Sequence, residues 1–93
     1  MRARLGNDVG IGAGSVIASA ARVDNGATIG ENVQIGDRSR VSSDVRIGRG
    51  TVVGEDVIID RGIEIGVNVT IGDRARVTMN LVDGTVIPDD ETV

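Results

Sequence analysis

Ten arginines and fourteen acidic residues carry all the side-chain charge of this 93-residue chain, which has no His, Cys or Lys. That inventory restricts chemistry before any fold is considered. Without imidazole there is no histidine base and no histidine metal ligand. Without thiols there is no disulfide, thiolate nucleophile or thiolate zinc site, and the redox compartment cannot be read. Without lysine there is neither a side-chain Schiff base nor a Walker-type phosphate lysine. Carboxylate pairs can do acid–base work or hold a hard cation. Here Asp8, Glu31, Asp37, Asp44, Glu55, Asp56 and Asp73 show no spacing that positions a pair, and they are read as solvated residues. No catalytic residue, metal site or cofactor is therefore expected. The arginines do have a rhythm: Arg4, Arg22 and Arg40 recur every eighteen residues, and Arg76 lies two further steps on.

The elements that position these residues follow from a shorter repeat. Stepping by six from Leu5 meets Ile11, Ile17, Val23, Ile29, Ile35, Val41, Ile47, Val53, Ile59, Ile65, Ile71 and Val77, without a miss. Such a run would arise by chance roughly once in a million shuffles of this composition. The residue after the aliphatic one is Gly in eight of the thirteen repeats, and the third after it is Gly, Asn or Asp in ten. Those types tolerate a left-handed backbone at a corner. The fourth is always small or aliphatic, from Val9 and Ser15 to Ala75 and Leu81. It stands two residues before the next aliphatic position, so both point to the same side of a short strand. A period of six does not suit a helix, and this much Gly would destabilise one. Phe, Tyr and Trp are absent while 40% of residues are hydrophobic, mostly Val, Ile and Ala. That composition suits a narrow core of stacked β-branched side chains.

Two apparent motifs dissolve into this repeat. Gly10-Ile11-Gly12-Ala13-Gly14-Ser15 superficially resembles a phosphate-binding glycine loop, but Ser15 stands where the last Gly is needed and the glycines fall on repeat positions. Asn68-Val69-Thr70 matches a glycosylation sequon by coincidence, since no secretory signal is seen.

Segments such as Ile29-Gly30-Glu31-Asn32-Val33-Gln34 and Ile35-Gly36-Asp37-Arg38-Ser39-Arg40 resemble the bacterial transferase hexapeptide repeat. The resemblance runs from Leu5 to Val82 and implies an all-β fold, a left-handed parallel β-helix. In it three hexads make one triangular coil of eighteen residues, giving a little over four coils. The handedness comes from the resemblance, being an exception to the usual right-handed crossover. The pattern is expected to stop after Leu81-Val82, because Asp83 cannot fill the next aliphatic position. Thr85-Val86-Ile87 is expected to form a last strand out of phase, Pro88 to block further pairing, and Asp89, Asp90 and Glu91 to form an acidic cap. The chain thus divides into a β-helix over 1–82 and a strand with capping tail over 83–93. At the other end Met1-Arg2-Ala3-Arg4 leads straight into the first repeat, which reads as an excised fragment or as a designed or truncated sequence.

Eighteen-residue coils sort the outward residues into faces. One face carries Arg4, Arg22, Arg40, Ile58 and Arg76, with Asp24 and Asp60 two residues beyond Arg22 and Ile58. Corner residues Arg38 and Arg74 are expected to add positive charge nearby. This face is either a solvated surface with diagonal ion pairs or a site for an anion or a partner. A second face carries Val16, Gln34, Val52 and Thr70 beside Ala18, Gly36, Gly54 and Gly72, and is the candidate self-association face. The third, with Gly10, Thr28, Arg46 and Glu64, reads as ordinary surface.

The resemblance implies three functional classes: acyl-CoA-dependent acyltransferases, usually homotrimers; γ-type carbonic anhydrases, with histidine-bound metal; and the C-terminal β-helix of nucleotide-sugar pyrophosphorylases, which supports assembly. The first two depart from this chain because their histidines are missing. The preferred reading is a non-catalytic structural or assembly module, a fragment of a pyrophosphorylase-like protein or a designed scaffold. The alternative is a subunit of a hexapeptide-repeat acyltransferase-like enzyme whose catalytic parts lie outside this chain. A homo-oligomer is expected, a side-by-side trimer before head-to-tail stacking. A net charge of −4 argues against nucleic-acid binding. No apolar run is long enough for a membrane span or signal peptide, so a soluble cytoplasmic protein is expected.

Overall fold

The computed structural model describes residues 3–93, so the lead-in Met1-Arg2 lies outside the described residues. Among the described residues, fourteen two-residue strands wind into a left-handed parallel β-helix of about five turns, with no helical segment. Face 1 stacks β1 (Arg4–Leu5), β4 (Arg22–Val23), β7 (Arg40–Val41), β10 (Ile58–Ile59) and β13 (Arg76–Val77). Face 2 stacks β2 (Gly10–Ile11), β5 (Thr28–Ile29), β8 (Arg46–Ile47) and β11 (Glu64–Ile65). Face 3 stacks β3 (Val16–Ile17), β6 (Gln34–Ile35), β9 (Val52–Val53), β12 (Thr70–Ile71) and β14 (Val86–Ile87). Residues eighteen apart lie in register, as in the ladder Ile11, Ile29, Ile47, Ile65.

Each strand turns one aliphatic residue inward and its predecessor outward, so the core is a column of Val and Ile joined by the buried residues that follow the corners, Val33, Val45, Val57 and Val69. From Val23 to Val77 every aliphatic repeat position is buried. The first coil differs: Leu5 is 52% exposed and Ile11 38%, because no described residue stacks on their outer side. Two core positions are polar, Ser39 and Thr51. Each hydroxyl serves two coils. Ser39 Oγ donates to the Gly54 carbonyl at 2.5 Å and accepts the Val57 N–H at 3.1 Å. Thr51 Oγ1 donates to the Gly66 carbonyl at 3.0 Å. Their hydrogen bonds offset the cost of burying a hydroxyl.

The corners repeat a left-handed residue every six positions, from Asp8 (φ 59°) through Asn32, Asp44 and Asn68. Asn68 folds its side chain over Gly50 (φ 72°), where a Cβ would collide with Asn68 Oδ1. Gly48 has a different reason for its lack of a side chain: an added Cβ would stand 2.5 Å from the Gly66 carbonyl oxygen of the next coil.

The rhythm does not end at Val82; it shifts by two residues. The hexad after Val77 is shortened, so Leu81, rather than Asp83, bridges to Ile65. Ile87 then pairs with Ile71, and Thr92 bridges to Arg76. Both Leu81 and Ile87 are buried. The physical reason is that an aliphatic side chain fills the core slot while Asp83, moved to the corner, accepts the Val67 N–H at 2.9 Å. Pro88 occupies the place of Gly72, whose N–H donates to the following coil. It removes one donor from the outer edge.

Candidate functional site

Because the inward residues are nearly uniform, whatever distinguishes one face from another lies in the outward column. On face 1 strand pairing sets Arg4 beside Arg22, Arg22 beside Arg40, Arg40 beside Ile58 and Ile58 beside Arg76. Neighbouring rungs are about 4.8 Å apart, so stacked guanidinium groups repel unless carboxylates intervene. Asp24 lies 3.5 Å from Arg22 and 4.0 Å from Arg40, and Asp60 lies 3.5 Å from Arg76. The structure thus brings all four arginines into one column with the two aspartates beside it.

Arg38 and Arg74 do not join that column. They belong to the corner between face 3 and face 1, where Ala20, Arg38, Asp56, Arg74 and Asp90 follow one another from coil to coil. Arg38 grips Asp56 with two hydrogen bonds, at 2.9 and 3.1 Å, and has Glu55 at 3.6 Å. Arg74 grips Asp90 in the same way, at 2.7 and 3.2 Å. These bonds hold the Asp56 and Asp90 carboxyls below their ordinary pKa and raise those of Arg38 and Arg74. The expected extra positive charge beside face 1 is therefore neutralised within the corner. Of the carboxylates read as solvated, Asp73 also accepts the Glu55 N–H of the preceding coil, and the exposed tail residues Asp83 and Asp89 accept backbone N–H groups in the same way.

On face 3 the outward column runs Val16, Gln34, Val52, Thr70, Val86. Val16, Val52 and Val86 are 57, 39 and 69% exposed. The next outward residues, Ala18, Gly36, Gly54 and Gly72, are small, so the valines stand on a nearly flat sheet. Val86 is a member of this face that the unbroken six-residue count did not reach. Its signal was present, since Leu81, Ile87 and Val93 are themselves six apart, with Gly84 and Asp90 at the corner positions between.

Among the described residues no group of His, Cys, Asp or Glu is placed to hold a metal ion. No buried side-chain polar atom lacks a partner there. No helix of the described residues is long and apolar enough to cross a membrane.

Comparison with known proteins rests on the same repeat. Residues 26–61 match the family model described as bacterial transferase hexapeptide (six repeats). The six-residue register of the strands continues on both sides of that segment. No curated protein matches the chain. Among solved structures it is similar to the acetyltransferase domain of PglB from Neisseria gonorrhoeae FA1090. There the TM-score is 0.71 at 22% identity, over 94% of this chain and 51% of that one. It is also similar to a mutant perosamine N-acetyltransferase from Caulobacter crescentus, solved with CoA and GDP-perosamine. That match has a TM-score of 0.63 at 22% identity, over 94% of this chain and 47% of that one. Serine acetyltransferase isoform 3 from Entamoeba histolytica gives a TM-score of 0.54 at 24% identity, over 92% and 32%. The chain therefore spans about a third to a half of these proteins. The likeness is one of fold.

Proposed function

We propose that this chain is the β-helical scaffold of a hexapeptide-repeat, acyltransferase-type assembly, and that it brings subunits together through face 3 without carrying out group transfer alone. One observation carries the reading. Face 3 is a flat column with Val16, Val52 and Val86 exposed, three of the eight exposed large hydrophobics among the described residues and the ones aligned on a single sheet face. Aligned apolar residues on a rigid sheet are the kind of surface that a subunit interface covers. The acetyltransferase folds that the chain resembles favour the same setting over a pyrophosphorylase tail. The lack of His, Cys and Lys in the sequence supports assigning the chemistry to residues outside these 93.

The interface is tested by sedimentation velocity. The unmodified chain is expected to sediment as a trimer, and Val52→Arg as a monomer with unchanged far-UV circular dichroism. An oligomer that survives Val52→Arg and Val16→Arg together overturns the face 3 assignment. The chemistry is tested with acetyl-CoA and small amine or hydroxyl acceptors. No transfer above background is expected, and turnover by pure protein that a single substitution abolishes overturns it.

A further inference from the structure

Face 1 has two halves with different charge balance. Toward the C-terminus Asp60 pairs with Arg76 at 3.5 Å, and Ile58 separates that pair from Arg40. Toward the N-terminus Arg4, Arg22 and Arg40 occupy three consecutive rungs, and Asp24 alone serves both Arg22 and Arg40. Among the described residues Arg4 has no carboxylate partner. Three guanidinium groups against one carboxylate leave a local excess of two positive charges, within rungs about 4.8 Å apart.

A shallow groove lies at this half, lined by Arg4, Gly6, Arg22, Asp24, Asn25 and Ser43. Gly6 brings no side chain to this end of the groove, and the Asn25 side chain packs against it where a Cβ would stand. The Asn25 Oδ1 atom accepts the Asn7 N–H at 2.7 Å. That bond leaves the Asn25 NH2 as the side-chain group available to a ligand. The Ser43 hydroxyl makes no hydrogen bond among the described residues, while its carbonyl accepts the Gly62 N–H at 3.0 Å. Apart from the shared Asp24 and the half-exposed Leu5 side chain, the groove presents donors and positive charge.

We propose that this half of face 1 binds a phosphate group, held by the Arg4 and Arg22 guanidiniums with Asn25 and Ser43 as neutral donors. A doubly charged tetrahedral oxyanion matches the local charge excess, and the guanidinium fork suits paired hydrogen bonds to its oxygens. No aromatic residue is available to stack a base, so recognition is of the phosphate rather than of an attached ring. Arg76, matched by Asp60, takes no part. The proposal is independent of the scaffold reading, because face 1 and face 3 are different sheets.

The test is a titration of 15N-labelled full chain with inorganic phosphate and, separately, glycerol 3-phosphate, at constant ionic strength against chloride. Saturable shifts are expected at Gly6, Asn25, Ser43 and the Arg22 Nε–H. Arg22→Gln is expected to weaken binding about tenfold, as loss of a charge-assisted bond does. Arg4→Gln is expected to do the same. Asp24→Asn, which removes the competing carboxylate, is expected to tighten binding, and Arg76→Gln to leave it unchanged. Saturation by either ligand upholds the site, and tighter binding of the ester identifies an organic phosphate as its occupant. Absence of saturable shifts with both ligands overturns the proposal. So does an Arg76→Gln loss equal to that of Arg22→Gln, which would mark a diffuse electrostatic effect.

Discussion

Face 1 and face 3 are made from the same rhythm and the same inward residues, yet their outer surfaces have opposite characters. In both, each strand beyond the first coil buries one Val or Ile and exposes its predecessor. On face 1 that predecessor is Arg in four of five strands; on face 3 it is Val in three of five. The comparison shows that the inward column and corners specify the solenoid and leave the outward column nearly unconstrained. The proposed subunit interface and the proposed phosphate site therefore both rest on outward positions, which contribute little to stability.

The strongest way to break the comparison is to damage what both faces share. Ile47 is buried in the middle of the face 2 ladder. Ile47→Asp places an unpaired charge in the core and is expected to cost several kcal/mol, enough to unfold a domain this small. Urea denaturation measures it, and both faces should be lost together. A folded Ile47→Asp protein would show that the column does not hold the faces in place.

A smaller loss is expected at Gly48, where a methyl group would press on the Gly66 carbonyl oxygen. Gly48→Ala should cost about 3 kcal/mol, the upper end of the overpacking range, because the obstructing atoms are backbone. Both faces should keep their binding properties in the surviving folded protein. Substitutions confined to the outward columns should be milder still. Val52→Arg and Arg40→Ala are each expected to change stability by no more than about 0.5 kcal/mol. Sedimentation should respond only to the first. If Arg40→Ala also dissociates the oligomer, the division of labour between the faces is wrong.

The smallest effect belongs to the corner that joins the two faces. Asp56 is held below the ordinary carboxyl pKa by its hydrogen bonds from Arg38. Its contribution to stability is present above the unfolded carboxyl value, near pH 4. It is lost as pH falls through the lower folded value. Asp56→Asn should therefore be slightly less stable than the unmodified chain at pH 7 and converge with it in strong acid. Urea midpoints across that range measure the convergence. A gap that persists unchanged at low pH would mean that the pair acts through packing rather than charge.

The amino-acid sequence by itself determined the hexad, because its causes are local: an inward aliphatic residue, a small or aliphatic residue two places before it, and a corner type that accepts a left-handed backbone. It also determined which outward residues repeat every eighteen positions, and so the membership of the arginine and valine columns. Handedness entered through family resemblance, since spacing is blind to it. Only the tertiary structure decided three further matters. The stack slips by two residues after Val77, so that Leu81, Ile87 and Val93 continue the aliphatic positions. A core slot is awarded by competition between side chains sixteen or eighteen residues away, and a fixed step of six cannot see that competition. The same slip carries Asp90 beneath Arg74, turning part of an acidic tail into half of an ion pair. Side-chain direction decided the last: Arg38 and Arg74 turn along the corner to Asp56 and Asp90, whereas Arg4, Arg22 and Arg40 stand in one column sharing Asp24. A sequence counts charges, but which carboxylate each guanidinium reaches depends on the distances that coil stacking creates.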